Sequence, residues 1–201
     1  MRRNKLVEDG AGWKTTSSKS EFKNPHLEVV TEEVRTPSSP KPRGWTTVKR
    51  KAAVVIAPMT SDGKFLLIKE ERIPIREAIW SMPAGQIDNP EADEKGIEAV
   101  ALRELHEETG YDLAPGGEAI PLGFFFTSVG LTDERCYFFL VRPVRRADVH
   151  KREEGEAILE SRAVDVRELS KMIAQGEIRD SNTLAICARM AARGLISLSS
   201  H

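Results

Sequence analysis

Arg103-Glu104-Leu105-His106-Glu107-Glu108-Thr109-Gly110-Tyr111, approached from Pro83-Ala84-Gly85, is the stretch that decides the fold of this chain. From about Glu94 onward, Ile97, Val100, Ala101 and Leu105 recur at helical spacing and form one apolar face. At about 100° per residue, Glu104, Glu107 and Glu108 continue that face, while Glu98, Leu102 and His106 point the other way. The spacing therefore predicts a helix that turns carboxylates inward. Gly110 supplies a left-handed C-cap, and Tyr111 can pack back on the last turn.

Three glutamates on a helix are ordinarily a solvated face. Inward placement makes that costly, because two carboxylates about 4 Å apart repel by roughly 4 kcal/mol at an effective dielectric near 20. A half-buried acidic cluster either protonates or takes a counter-cation. Arg103 borders the cluster and suits the orientation of one glutamate better than the neutralisation of all three. Oxygen donors with no Cys or His beside them suit Mg²⁺, or Mn²⁺, rather than Zn²⁺.

The rest of the chain sets bounds on that site. Its 201 residues, 40% hydrophobic and 30% charged, suit one buried core and an appendage rather than two full domains. A net charge of −1 with dispersed lysines and arginines gives no basic field for nucleic acid or anionic membranes. Met1-Arg-Arg-Asn-Lys5 is basic, but no apolar stretch follows it, and no apolar run approaches the ~20 residues that cross a bilayer. Cys136 and Cys187 read as reduced, buried thiols, and a cytoplasmic protein is expected. The histidines His26, His106, His150 and His201 show no metal spacing, and there is no Gly-x-x-x-x-Gly-Lys-Ser/Thr loop.

Residues 1 to about 20 are polar and read as flexible, with Trp13 the exception that packs on something. Leu27 to Val34 has strand composition, and Pro37 to Pro42 reads as a loop. Trp45 to Arg50 leads into a buried strand, Ala52 to Ala57, which turns at Ser61-Asp62-Gly63-Lys64 into Phe65 to Ile68. Ile79 to Met82 runs into Pro83-Ala84-Gly85, where glycine lets the backbone approach a ligand. Beyond the helix, Gly116-Gly117 precedes strands Ile120 to Thr127 and Arg135 to Val141. A strand from Ile158 to about Val166 and helices Val166 to Ala174 and Ser181 to Arg193 complete the chain. Strands, helix, strands, helices is the order of a mixed sheet covered by helices.

Arg-Glu-Leu-x-Glu-Glu-x-Gly-aromatic, preceded by Pro-Ala-Gly, resembles the signature of the Nudix hydrolases, which cleave a diphosphate linked to another group. The resemblance covers about residues 50 to 195 and implies a Nudix α/β/α sandwich with a mixed sheet. The family places five residues between its Gly and Glu and seven between Glu and Arg. Here Gly85 and Glu91 keep the first interval, but eleven residues separate Glu91 from Arg103. A four-residue insertion between Asn89 and Gly96 accounts for this and leaves the metal-binding helix intact.

By the same resemblance the metal ligands are Glu104, Glu107 and Glu108 with the backbone carbonyl of Ala84, and Arg103 is their orienting ion-pair partner. Arg152-Glu153-Glu154-Gly155-Glu156 is by composition a solvated charge run. It resembles the loop in which the ADP-ribose pyrophosphatase branch keeps a catalytic glutamate, matching Glu156, with Glu154 and Glu153 as fallbacks. Trp45 resembles an adenine-stacking tryptophan of that branch; the alternative is a core or dimer-interface aromatic. His26 stands at a second stacking position, usually Trp. Arg72 matches an arginine that holds the diphosphate, with a surface salt bridge as its alternative. Gly130 lies in Ser128-Val129-Gly130, resembling a Ser-Pro-Gly motif whose proline is here Val129, so broader nucleoside diphosphate sugar specificity stays open. Gly176 to Ala185 resembles the branch as well.

Together these implied features describe Mg²⁺-dependent hydrolysis of a nucleoside diphosphate sugar, ADP-ribose before others, to AMP and ribose 5-phosphate. They also imply a homodimer with neither nucleic-acid nor membrane partners. Residues 1–50 would be a tail and strand extension for dimerisation and substrate recognition, and residues 51–201 the Nudix domain. Two rivals remain. A catalytically silent nucleotide-sugar sensor predicts a broken motif, yet Arg103, Glu104, Glu107 and Glu108 are all present. Hydrolysis of nucleoside triphosphates or dinucleoside polyphosphates is opposed by the N-terminal extension and by the Arg72 and Gly130 matches.

Overall fold

A computed structural model of the chain describes residues 9–149 and 157–198. It contains two sheets. The first is built from β1 (Lys14–Lys23), β2 (Leu27–Thr36) and β3 (Ser39–Arg50), in that order and antiparallel. The second contains β4 (Ala53–Thr60), β5 (Phe65–Arg72), β6 (Glu77–Ser81), β7 (Ala84–Gln86), β8 (Tyr111–Phe126), β9 (Arg135–Arg146) and β10 (Ile158–Val164). Its order is β10, β5, β4, β9, β8, with β6 on β5 and β7 on β4. The β4–β9 pair is parallel and the others are antiparallel, so the sheet is mixed.

Alternation along the strands divides the core. Val54, Ile56, Leu66, Tyr137, Phe139 and Val141 face α1 (Glu94–Thr109), which returns Ile97, Ala101 and Leu105 to them. Val55, Ala57, Phe65, Leu67, Phe138 and Leu140 face α2 (Val166–Ala174) and α3 (Ser181–Ala192), through Leu169, Met172, Ile186, Cys187 and Met190. Period-2 strands with both faces apolar, covered by amphipathic helices, give an α/β/α sandwich. Each of α1, α2 and α3 starts on an aspartate, Asp93, Asp165 or Asp180, whose carboxylate accepts an N–H of the first turn.

Three local expectations need correction. The stretch read as flexible contains most of β1, because its residues pair with β2 at eight register positions, four of them Thr or Ser, and Trp13 just before it remains 50% exposed. The loop read at Pro37 to Pro42 shrinks to a turn at Pro37-Ser38. β3 runs through Pro40 and Pro42, which it tolerates because it is the edge strand of its sheet, paired there with β2. Gly116 and Gly117 lie within β8, where the register on β9 slips between Leu113 and Glu118.

The insertion ahead of α1 is a turn of its own. Asn89 accepts the Glu91 N–H on its side chain at 3.0 Å and the Ala92 N–H on its carbonyl at 3.1 Å. Glu91 therefore lies before the helix.

Candidate active site

The loop Met82-Pro83-Ala84-Gly85 is pinned both to α3 and to the strand β4. The Met82 N–H donates to Thr183 Oγ1 at 2.8 Å, at the start of α3, and Pro83 O accepts from Ile56 N at 2.9 Å. β7 then pairs with β4, setting Gly85 opposite Val54 and Ala84 opposite Val55. The inner face of α1 meets this loop. Glu108 accepts the Ala84 N–H at 2.8 Å and is 5% exposed, while Glu104 is 6% exposed against Gly85. A Cβ on Gly85 would lie 1.9 Å from the Glu104 Cδ and 2.2 and 2.4 Å from its oxygens. Only glycine permits this approach.

Arg103 donates to Glu104 Oε1 at 2.6 Å and also pairs with Glu107. Burial opposes its charged form, but the two carboxylates outweigh that and hold the guanidinium above its ordinary pKa. Glu107 lies at the edge of the buried stripe and is partly exposed. Among the described residues, no three carboxylate, imidazole or thiol side chains already converge into a cage for a metal. The donors that border the loop are all oxygens, two of them on nearly inaccessible carboxylates, with a backbone close enough to exclude any Cβ. That donor chemistry fits a hard divalent cation.

The other sequence-derived positions fall elsewhere. Trp45 is 58% exposed, and its indole N–H donates to the Gly130 carbonyl at 3.1 Å, so these two candidates meet each other. The neighbouring backbone is stitched in the same way: Val48 N donates to Leu131 O at 2.8 Å and Arg50 N to Asp133 at 3.3 Å. The Arg50 guanidinium pairs with buried Glu134 at 3.1 Å. His26 lines a cavity between the β1–β2 turn and the β7–α1 loop. Arg72, at the end of β5, is paired with Glu70 at 2.9 Å. Burial raises the Glu70 pKa, and the Arg72 charge opposes that rise. Glu153, Glu154 and Glu156 lie outside the described residues.

Sequence reasoning missed the Arg50–Glu134 pair and the Lys51–Asp88 pair at 2.7 Å. Each joins residues far apart in the chain, and neither sits in a spacing that marks it. Cys136 and Cys187 are buried, and desolvation pushes both thiols up to about 12, so neither is a nucleophile near neutral pH. Among the described residues no helix is long and apolar enough to cross a membrane.

An acidic helix clamped beneath a glycine loop, on an α/β/α sandwich, defines a class of hydrolases. The family model described as the NUDIX domain matches residues 48–185, more than half of the chain, and the chain belongs to the Nudix hydrolases. It is 28% identical over 170 residues to the ADP-ribose pyrophosphatase of Bacillus subtilis (strain 168), covering 85% of this chain and 88% of that one. To the methanol dehydrogenase activator of Bacillus methanolicus it is 29% identical over 152 residues, covering 71% and 76%. To the GDP-mannose pyrophosphatase of Klebsiella pneumoniae it is 32% identical over 119 residues, covering 57% and 54%. A crystal structure of an ADP compounds hydrolase matches with a TM-score of 0.73, covering 96% of this chain and 100% of the other. At 13% identity that match speaks for the fold alone. The resemblance to the ADP-ribose pyrophosphatase branch stands with these relatives.

Proposed function

We propose that this Nudix hydrolase cleaves the diphosphate bond of a nucleoside diphosphate sugar, with ADP-ribose the preferred substrate and AMP and ribose 5-phosphate the products. The observation that carries the reading is the burial of Glu104 and Glu108 against the backbone of Ala84 and Gly85. Relatives named for ADP-ribose and for GDP-mannose support the substrate class.

Glu104, Glu107, Glu108 and the Ala84 carbonyl are the groups that would hold Mg²⁺ or Mn²⁺. When bound, such an ion neutralises phosphate charge and stabilises the leaving phosphate. Arg103 fixes the rotamers of Glu104 and Glu107 through its planar fork. Arg72 offers a second guanidinium for the diphosphate, once exchanged from Glu70. Trp45, held by Gly130, presents its ring for stacking on a base.

Glu156, with Glu154 and Glu153 as fallbacks, is proposed as the general base that takes the proton of the attacking water. Glu156→Gln is expected to lower kcat about 10²-fold or more with metal affinity kept; the same loss from Glu154→Gln instead moves the base to that residue.

β1 is exposed along nearly its whole length, and Phe22 is 55% exposed. A three-stranded sheet without a core of its own gains stability by covering such surface. We therefore place the boundary between extension and Nudix domain near residue 50 and assign the extension to a homodimer of cytoplasmic copies. Light scattering should give twice the chain mass of 22.4 kDa; a monomer at micromolar concentration removes the dimer.

The decisive experiment is incubation with Mg²⁺ and a panel of ADP-ribose, GDP- and UDP-sugars, NADH and a dinucleoside polyphosphate, with products quantified. ADP-ribose should give the highest kcat/KM. Turnover of none, with binding retained, would make the protein a sensor.

A further inference from the structure

Arg72 is held by a contact that is close but poorly directed. Its Nη2 stands 2.9 Å from Glu70 Oε2, yet that oxygen is sealed from solvent and receives no hydrogen bond. Alternation along β5 puts Leu66, Ile68, Glu70 and Arg72 on the face that α1 covers. There Glu70 lies between its register partners, Ile79 of β6 and Ile158 of β10, both of them buried. The Glu70 side chain is 18% exposed, against 38% for Arg72. The other charges nearby are engaged elsewhere or repel. Glu77, opposite Arg72, is taken by Arg179 at 2.6 Å, and Asp180, the next residue, repels the Glu70 charge. Lys69 and Glu160 face the other side of the sheet, where Lys69 lies over Trp80. Glu104 and Glu108 of α1 are engaged at Gly85 and Ala84. Among the described residues, Arg72 is therefore the cation that makes a charged Glu70 tolerable.

We propose that Glu70 is a positioning residue for substrate binding: it holds the Arg72 guanidinium until a diphosphate displaces it, and the carboxylate then takes a proton from solvent. This rests on Arg72 serving the diphosphate, as in the function proposed above. A diphosphate offers Arg72 charged oxygens in the bidentate geometry that Glu70 does not. Once the guanidinium leaves, a carboxylate between Ile79 and Ile158 is left without its counter-charge, which favours the neutral acid. Proton uptake also removes a negative charge that would repel the substrate's own. Burial already holds Glu70 above the ordinary carboxylate range, and departure of Arg72 raises it further. Affinity is therefore highest where Glu70 is neutral before the substrate arrives, and it falls as pH rises through and beyond that range.

The probe is ADP-ribose, whose diphosphate does not itself titrate near neutral pH. Its binding to the full chain without metal is followed by calorimetry in two buffers of different ionisation enthalpy, from about pH 5 to about pH 8. The unmodified protein should take up a proton on binding at the upper end of this range and bind more weakly there. Glu70→Gln keeps the shape of the side chain and removes the charge. It should bind about threefold tighter than the unmodified protein at the upper end, match it at the lower end, and lose the proton uptake. With Mg²⁺ present the change should fall on KM more than on kcat, and the pH dependence of KM gives the same comparison where metal-free binding is weak. Arg72→Ala should weaken binding about tenfold or more and abolish the uptake as well. A merely structural ion pair would change the melting temperature and neither of these readouts. Weakened binding by Arg72→Ala, with uptake and pH profile unchanged in Glu70→Gln, overturns Glu70 as the holder of Arg72 and leaves the substrate reading intact. Unchanged binding by Arg72→Ala overturns the assignment of Arg72 to the diphosphate and the role of Glu70 with it. Neither binding nor turnover of ADP-ribose by the unmodified chain overturns the substrate reading itself.

Discussion

Gly85→Ala is expected to lower turnover about 10²-fold or more and the melting temperature by several degrees, although it adds only one methyl group. The added Cβ would stand 1.9 Å from the Glu104 Cδ, far inside any real approach. Neither partner can yield freely. Ile56 and Thr183 fix the loop, and Arg103 holds Glu104 from the other side. Overpacking of this kind costs about 1–3 kcal/mol, or roughly 2–10 °C in a chain of this size. If Glu104 swings out instead, stability is spared but the carboxylate moves by more than the ~1 Å that already costs about 10² in rate. The double variant Gly85→Ala/Glu104→Ala separates these effects, since it should regain the melting temperature without regaining turnover. A Gly85→Ala protein with unchanged melting and turnover would show that Glu104 does not press on this loop.

The same pair explains what was legible in the sequence. The 3.6-residue period from Ile97 to Leu105 carried the helix, its inward glutamates and its end at Gly110, because each depends on residues within a turn or two. The short apolar runs of β4, β5 and β9 marked buried strands, the order of elements pointed to a mixed sheet under helices, and the α/β/α sandwich came from the family resemblance. β1 was not legible, because Lys14 to Lys23 has little apolar content and exists as a strand only through its pairing with β2. β3 was hidden by two prolines that an edge position excuses. In the site, spacing placed Glu104 and Glu108 on the buried stripe, yet it could not show that Trp45 and Gly130 bond to each other, because 85 residues separate them. Glu70 was invisible as the partner of Arg72 for a subtler reason. Residues two apart on a strand share a face, but whether they form an ion pair depends on how much solvent the neighbouring β10 and β6 exclude.

Glu108→Gln is expected to lower kcat about 10³-fold while the melting temperature stays within a few degrees. The contrast follows from what Glu108 touches. Its Oε2 accepts the Ala84 N–H at 2.8 Å, and a glutamine carbonyl oxygen can accept the same bond at the same length. The fold therefore loses no partner, and a nearly inaccessible position exchanges a charged group for a neutral one, a change that burial favours. What disappears is the negative charge, and a hard divalent cation discriminates strongly between a carboxylate and an amide. Calorimetric Mg²⁺ or Mn²⁺ affinity should fall together with kcat, about as much as removing one preorganised electrostatic group costs other enzymes. Glu108→Ala supplies the complementary result. It removes charge and acceptor together and leaves the Ala84 N–H without its partner, at a cost of about 1–3 kcal/mol. It should lose both activity and stability where the glutamine variant loses activity alone. Equal turnover by Glu108→Gln and the unmodified protein would reduce Glu108 to a clasp on the Ala84 backbone and remove it from the metal site.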